Sequence, residues 1–305
     1  MNFNDLHWAV VVGREGSLTA ACANLGISPG TLSKAIARLE RSTRVDLFER
    51  MPRGMRPTAF GEVFLQRAAQ IDMAVEDLYA ELRDLRQAKA GAVRLGVGNG
   101  VPDRWVCPGI QQLAERGLSV ELSGGMTDSL EEAVLAGRLD FALLGQTGTP
   151  AAGMSWHALC SDPMQPMVPT GHALARPRRN VPWAELAQAR WLVPARGTAT
   201  FREFEANFAA HDMPAPVPSI LSSSSGRELS MGLALNAISL KPRSALSDPE
   251  VQSRLTSVSP AGGWKSQREL GIIWRTGAYL SPASTLAMEL FKKQIRSLQR
   301  HRPTP

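Results

Sequence analysis

Lys34, Arg38 and Arg41 recur at intervals of four and three residues, with Gly30, Ser33 and Ala37 on the same stripe of a helix. Leu32, Ile36 and Leu39 fall on the opposite face. A stripe of cations, hydroxyls and small side chains can enter a DNA major groove, where cations meet phosphates and short side chains approach base edges. Ser28 and Pro29 stand where an N-cap and a first helical residue belong. The candidate DNA contacts are therefore Ser28, Pro29, Thr31, Ser33, Lys34 and Arg38. Arg50 and Arg53 join them from a predicted β-hairpin wing around Pro52-Arg53-Gly54, which can reach the minor groove or backbone phosphates. The alternative is a solvated, charged helix face. Local charge favours the DNA reading, because residues 30–60 hold seven basic against three acidic side chains, whereas the whole chain has a surplus of only 6.

A second set of residues stands where predicted strands give way to helix starts. It comprises Asn99, Gly100 and Val101; Gly124 and Thr127; Arg196, Thr198, Thr200, Phe201 and Arg202; and Ser222 and Ser223. Free N–H groups at helix starts favour negative charge, and hydroxyls and arginines add donors. The set predicts a site for a small organic anion, with an aromatic carboxylate as the specific expectation. Thr127 and Thr200 are the first choices for the head group, and Phe201 could cover a flat apolar body. The alternative is a set of solvated loop residues.

Catalytic and metal chemistry finds little purchase. Gly96-Val97-Gly98-Asn99-Gly100 follows a predicted strand, but a dinucleotide loop would need a further glycine at Val101 or Asp103. No Walker loop, Gly-x-Ser-x-Gly elbow or His-Glu-x-x-His motif occurs. His7, His157, His172, His211 and His301 lack ligand-like spacing, and Cys22, Cys107 and Cys160 lie too far apart in sequence to suggest a disulfide framework or zinc site. The chain is not expected to be an enzyme or to carry a cofactor or metal. With no secretory signal and no apolar run of membrane-spanning length, it reads as cytoplasmic.

The elements that must position these residues follow from pattern and punctuation. The 305 residues, 44% apolar and 20% charged, suit about two globular domains. Apolar spacing predicts a helix over 5–14. Ser17 caps a second over 18–24, Leu25-Gly26-Ile27 makes a tight turn, and Ser28-Pro29 opens the third. Phe64, Ala68, Ile71, Val75, Leu78, Leu82 and Leu85 then alternate spacings of four and three, a heptad repeat predicting a two-stranded coiled coil over 60–90. The alternative is a helix packed on its own domain. Beyond Gly91, strands are expected near 92–97, 120–122, 140–144, 164–168, 191–193, 220–222, 237–240 and 270–274. Helices start near 102 and span about 128–136, 201–210, 226–235 and 283–299, so the alternation predicts parallel βαβ units.

The segment GSLTAACANLGISPGTLSKAIARLERSTRVDLFER (16–50), followed by RGMRPTAFGEVFLQRA (53–68), resembles the LysR-type transcriptional regulators. Gly16-Ser17, Ala20-Ala21, Leu25 to Ser28, Leu32-Ser33, Leu39-Glu40, Leu47 to Arg50 and Thr58 to Gly61 match that family's pattern in order. Thr43-Arg44 stand where the family usually has Leu-Gly, and Pro57 where an aliphatic residue is common. VRLGVGNG, LEEAVLAGRLDFALLG and LSMGLALNAISLKP extend the likeness. The resemblance implies a winged helix-turn-helix domain (1–59), a linker and dimerisation helix (60–90) and an α/β effector domain (91–305) with the fold of periplasmic binding proteins. Its two Rossmann-like halves would comprise about 91–163 with 268–305, and about 164–267. It also implies an effector in the cleft between the halves, a homodimer or homotetramer, an inverted-repeat promoter site in double-stranded DNA, and contact with RNA polymerase. A solute-binding protein or an enzyme on the same α/β fold is the competing expectation.

Overall fold

The computed structural model describes residues 2–51, 54–86, 91–175, 180–223 and 225–300. It divides into two compact units, Met1–Ala88 and Lys89–Pro305.

The first unit contains α1 (Phe3–Glu15), α2 (Leu18–Leu25), α3 (Pro29–Thr43), β1 (Phe48–Met51), β2 (Gly54–Pro57) and α4 (Ala59–Arg86). Local chemistry sets these boundaries. Ser17 Oγ accepts from Ala20 N at the start of α2, and Gly26 closes that helix in the left-handed conformation. Ser28 Oγ accepts from Thr31 N, and Pro29 opens α3. Leu32, Ile36 and Leu39 of α3 pack against Leu6, Val10 and Val12 of α1 in one apolar core. Thr58 Oγ1 accepts from Gly61 N and donates to the Asp46 carbonyl, which anchors the start of α4. Gly61 is required there, since a Cβ would fall 1.9 Å from the Leu47 carbonyl oxygen.

The structure splits the heptad pattern. Ala68 is buried in the unit's own core with Phe64 packed beside it, as the second reading of this helix anticipates. Beyond it Ile71, Leu78 and Leu82 are 46%, 51% and 44% exposed, while Val75 is half-buried. The side chain of Leu85 and residues 87–90 fall outside the described set.

The second unit holds β3 (Ala92–Gly98), α5 (Asp103–Glu115), β4 (Ser119–Gly125), α6 (Thr127–Leu135), β5 (Phe141–Gln146), β6 (Met154–Ser161) and β7 (Met164–Pro169). It continues through β8 (Asn180–Val181), α7 (Trp183–Gln188), β9 (Trp191–Pro194), α8 (Ala199–Ala209), β10 (Ile220–Ser222), α9 (Ser225–Ala234), β11 (Ile238–Pro242) and a 3-10 turn at Arg243–Ser247. Then come α10 (Pro249–Arg254), β12 (Leu255–Ser257), β13 (Ser259–Pro260), β14 (Glu269–Arg275) and α11 (Pro282–Arg300). Two five-stranded sheets result, ordered β4-β3-β5-β14-β6 and β10-β9-β11-β7-β12. The chain passes between them after β6 and returns before β14.

The expected parallel βαβ units are present, and each sheet also carries antiparallel strands. β3 pairs in parallel with β4 and β5, but β14 runs antiparallel to both β5 and β6. In the second sheet β9 pairs in parallel with β10 and β11, while β7 runs antiparallel to β11 and β12. Strands entering or leaving each half at a crossover need no helical return, so they can lie antiparallel. Among the described residues, no helix is long and apolar enough to cross a membrane.

Candidate functional site

α3 presents Ser28, Pro29, Gly30, Thr31, Lys34, Ala37, Arg38 and Arg41 to solvent, with Ser33 half-buried. The core face is closed, since Leu32, Ala35 and Leu39 have no exposure. The stripe is thus a protruding, unpacked helix face. Two of its hydroxyls are engaged, because Ser28 Oγ and Thr31 Oγ1 share a hydrogen bond of 2.9 Å. Arg38 is also held: its Nε and Nη2 donate to the two oxygens of Asp5 at 3.0 and 2.6 Å. Asp5 is 2% exposed, so this bidentate pair fixes the guanidinium against α1 and raises its already high pKa. Arg38 therefore combines a solvent-facing edge with a positioning role that the sequence did not show.

The wing has its own clamp. Glu40 Oε1 accepts from Leu47 N at 3.0 Å and Phe48 N at 3.3 Å, joining the end of α3 to the start of β1. Arg50 is exposed on β1, paired in register with Met55. Arg53 lies outside the described residues. On the other side of the unit, His7 Nδ1 meets both oxygens of Asp72 at 2.8 and 2.9 Å, tying α1 to α4.

The second unit holds a cavity of about 440 Å³, within the range of small-molecule sites. One wall comes from the β3–α5 turn, the start of α6, and Gly145 of β5. The facing wall comes from Pro194, Thr200, α9, β11 and the turn into α10. Of the residues expected at a ligand site, Asn99, Gly100, Val101, Thr127 and Thr200 line this cavity. α5 and α6 both begin here without a side-chain cap. Thr127 Oγ1 donates to the Gly145 carbonyl at 3.0 Å, so its proton is committed.

The other expected residues are not brought to the cavity. Gly124 is exposed on the edge strand β4. Thr198 caps α8, accepting from Phe201 N and donating to the Ala195 carbonyl. Phe201 is 4% exposed and packs with Phe204, so it belongs to the core and does not line this cavity. Arg196 lies over the Phe201 ring at 5.1 Å, and Arg202 donates to the Gly197 carbonyl. Ser222 is buried in β10 and Ser223 is exposed beyond it. The sequence places these residues correctly near helix starts, but a cap spends its hydroxyl and an amphipathic helix buries its aromatic residue.

The cavity's cations come from elsewhere. Lys241 of β11 meets Glu228 of α9 at 2.8 Å, both mostly buried. Arg268, in the return crossover, meets the fully buried Asp162, in the first crossover, at 2.6 Å. Arg268 Nη1 also reaches the Asp162 carbonyl, and Asp162 accepts from Ser244 N and Oγ, each at 2.8 Å. Gly145 is required beneath this guanidinium, because a Cβ would sit 2.0 Å from it. Beside the crossover, Ser266 Oγ donates to both oxygens of Glu203 and accepts from Met164 N. Burial raises the Glu203 pKa, and the Ser266 bond offsets part of that shift. None of Lys241, Arg268 and Asp162 sits at a helix start, which is why that criterion passes over them, whereas Glu228 stands in the first turn of α9. The available signal was a charged side chain set immediately beside an apolar strand, as in Ser239-Leu240-Lys241-Pro242 and Arg268-Glu269-Leu270.

Known proteins share this architecture. Residues 3–62 match the bacterial regulatory helix-turn-helix protein model of the lysR family, and residues 86–296 match the LysR substrate binding domain. The HTH-type transcriptional regulator GbpR of Azospirillum brasilense is 26% identical in an alignment covering 100% of this chain and 91% of its own. Full-length OxyR from Pseudomonas aeruginosa superposes with a TM-score of 0.63 at 20% identity, over 97% of this chain and 95% of its own. CbnR, solved with its target DNA, gives a TM-score of 0.58 at 17% identity, over 96% and 100% of the two chains. The two family models cover most of the chain in the order that its two units follow, and the chain belongs to the LysR family of helix-turn-helix transcriptional regulators.

Proposed function

We propose that this protein binds a promoter through α3 and the β1–β2 wing, and that a small organic effector in the 440 Å³ cavity modulates that binding. The observation that carries the reading is the pairing, in one chain, of a protruding cationic helix face with an α/β unit whose facing halves leave a ligand-sized space. Lys34 is the phosphate partner of this reading. Ser33 and Thr31 approach base edges, and Arg50 and Arg53 reach the backbone beside the major groove. Arg38 presents its outer edge to DNA while Asp5 holds its orientation. The anion expected from the sequence drew on converging helix starts together with Arg196 and Arg202; the starts of α5 and α6 line the cavity, and neither arginine does.

The exposed apolar stripe on α4 supports a second copy of this chain as partner. Ile71, Leu78 and Leu82 would form the seam of a homodimer, which presents two heads to an inverted repeat. A tetramer and an interaction with RNA polymerase extend this reading by analogy with the family. The action is regulatory rather than catalytic, and its place is the cytoplasm, where promoter DNA lies.

Retardation of the fragment upstream of the protein's own gene tests the DNA role. Lys34→Ala should weaken binding across sequences and flatten its salt dependence by about one unit for each phosphate no longer neutralised. An unchanged slope and affinity reject Lys34 as a phosphate partner, and no retardation at low salt rejects promoter binding.

A further inference from the structure

Resting on the reading that the cavity is the effector site, its charges narrow the effector's class. Arg268 is 8% exposed, and among the described residues its guanidinium is engaged through Nη1, which is clamped to Asp162. Its Nη2 faces the Gly100 turn, where a Cβ on Gly100 would stand 3.0 Å away. A nearly buried donor is thus aimed at the start of α5, itself uncapped by a side chain. That corner suits a carboxylate, through N–H donors on both sides.

The rest of the cavity disfavours an anion. Asp103, Glu228, Asp248 and Glu250 line it, against Lys241 and Arg268, which leaves a formal charge of −2. Both cations are already paired, Lys241 with Glu228 and Arg268 with Asp162. A dianion would bring more negative charge to carboxylates, with no unpaired cation among the described lining residues to meet it. A ligand carrying one carboxylate and one ammonium answers both features.

We propose that the effector is a zwitterion, a small aminocarboxylic acid, whose carboxylate takes Arg268 Nη2 and the Gly100 turn and whose ammonium faces Glu228 and Asp248. Arg268 is then the specificity-determining residue, presenting donors whose charge Asp162 has already balanced.

Three probes of matched chain length separate the classes: δ-aminovalerate (zwitterion), glutarate (dianion) and cadaverine (dication). Calorimetric titration into the full-length protein, with thermal shift alongside, should show binding of δ-aminovalerate and not of glutarate. Gly100→Ala crowds Nη2 while leaving the Arg268–Asp162 pair intact, and should weaken δ-aminovalerate about tenfold or more. Glu228→Gln removes one negative charge and frees Lys241, so it should let glutarate bind. Glutarate binding the wild type as tightly as δ-aminovalerate, binding of cadaverine alone, or no binding by any probe overturns the zwitterion. So does δ-aminovalerate affinity that both variants leave unchanged. A reporter on the protein's own promoter separates this failure from failure of the cavity reading. Induction lost in Gly100→Ala keeps the cavity as the effector site whatever the probes do, whereas induction unaffected by Gly100→Ala rejects the cavity itself.

Discussion

Replacing Asp162 by Asn keeps the shape of the side chain and removes its charge, in the least forgiving place the second unit offers. Asp162 is 1% exposed, and its carboxylate accepts from Ser244 N, Ser244 Oγ and Arg268 Nη1 at 2.8, 2.8 and 2.6 Å. All three partners are donors. An amide must turn its own NH2 toward at least one of them, so one bond becomes a donor facing a donor. The Arg268 guanidinium, 9% exposed as a side chain, then stays charged and loses the carboxylate it is paired with, leaving the more weakly coupled Glu203. Removing one partner of a buried pair costs about 3–5 kcal/mol. For a unit of this size, each kcal/mol moves Tm by about 2–4 °C, so the second unit should melt about 6–20 °C lower. Arg268→Gln should destabilise to a similar degree, since it leaves the carboxylate unpaired. The double variant should lose less than the sum of the two, by about 0.5–3 kcal/mol, because neither charge is then stranded. Urea melts of the four proteins, followed by tryptophan emission, measure this cycle. Losses below about 1 kcal/mol for both single variants, or strict additivity, would mean that the crossover pair is not the buried node the geometry describes.

Leu78→Glu puts a charge on the exposed stripe of α4, and sedimentation velocity should show the dimer replaced by monomer with the first unit still folded; an unchanged oligomer refutes the seam. Arg44 closes α3 at φ 58, a left-handed conformation that costs a residue with a Cβ and that glycine adopts freely. Arg44→Gly should therefore stabilise the first unit by about 0.5–1 kcal/mol in calorimetry, and a loss of stability would show that the arginine side chain contributes more than the strain. Burial raises the Glu203 pKa in the folded state, so folding favours its protonated form. Its ionisation destabilises the fold as pH rises through that raised value, and the penalty disappears below the unfolded carboxyl pKa. Glu203→Gln should accordingly raise Tm at neutral pH and leave it nearly unchanged at low pH; a gain that is equal at both refutes ionisation as the cause.

The first unit was legible because its determinants are local. Ser17, Gly26, Ser28 and Pro29 each act within four residues of where they stand, and the three-to-four periodicity of Leu32, Ile36 and Leu39 describes a face that one neighbouring helix covers. The pattern failed where burial depends on distant sequence. The heptad on α4 is continuous in sequence, yet Ala68 is covered by the unit's own core and Leu78 is not, and periodicity cannot tell which partner fills the groove. β6 was passed over for a related reason. Met154–Ser161 contains no valine, isoleucine or threonine, and its exposure does not alternate, so the strand exists because β14 supplies its ladder from more than a hundred residues away.

The cavity of the second unit shows the same division more sharply. Helix starts can be found from sequence, so Asn99, Gly100 and Thr127 could be placed, but the electrostatic character of a cleft is set by which charges already have partners. Arg196 and Arg202 looked available because they stand near a helix start. One lies over Phe201 and the other is bonded to the Gly197 carbonyl. Arg268 and Lys241 looked ordinary, flanking strands as charged residues often do. Folding sets Arg268 against Asp162 across a separation of 106 residues and Lys241 against Glu228 across 13, inside a space the strands enclose. A free guanidinium there would select anions. A guanidinium whose charge is balanced keeps its directional donors and loses its preference for net negative charge, so in the proposed zwitterion site the carboxylate that positions Arg268 would also decide what Arg268 can recognise.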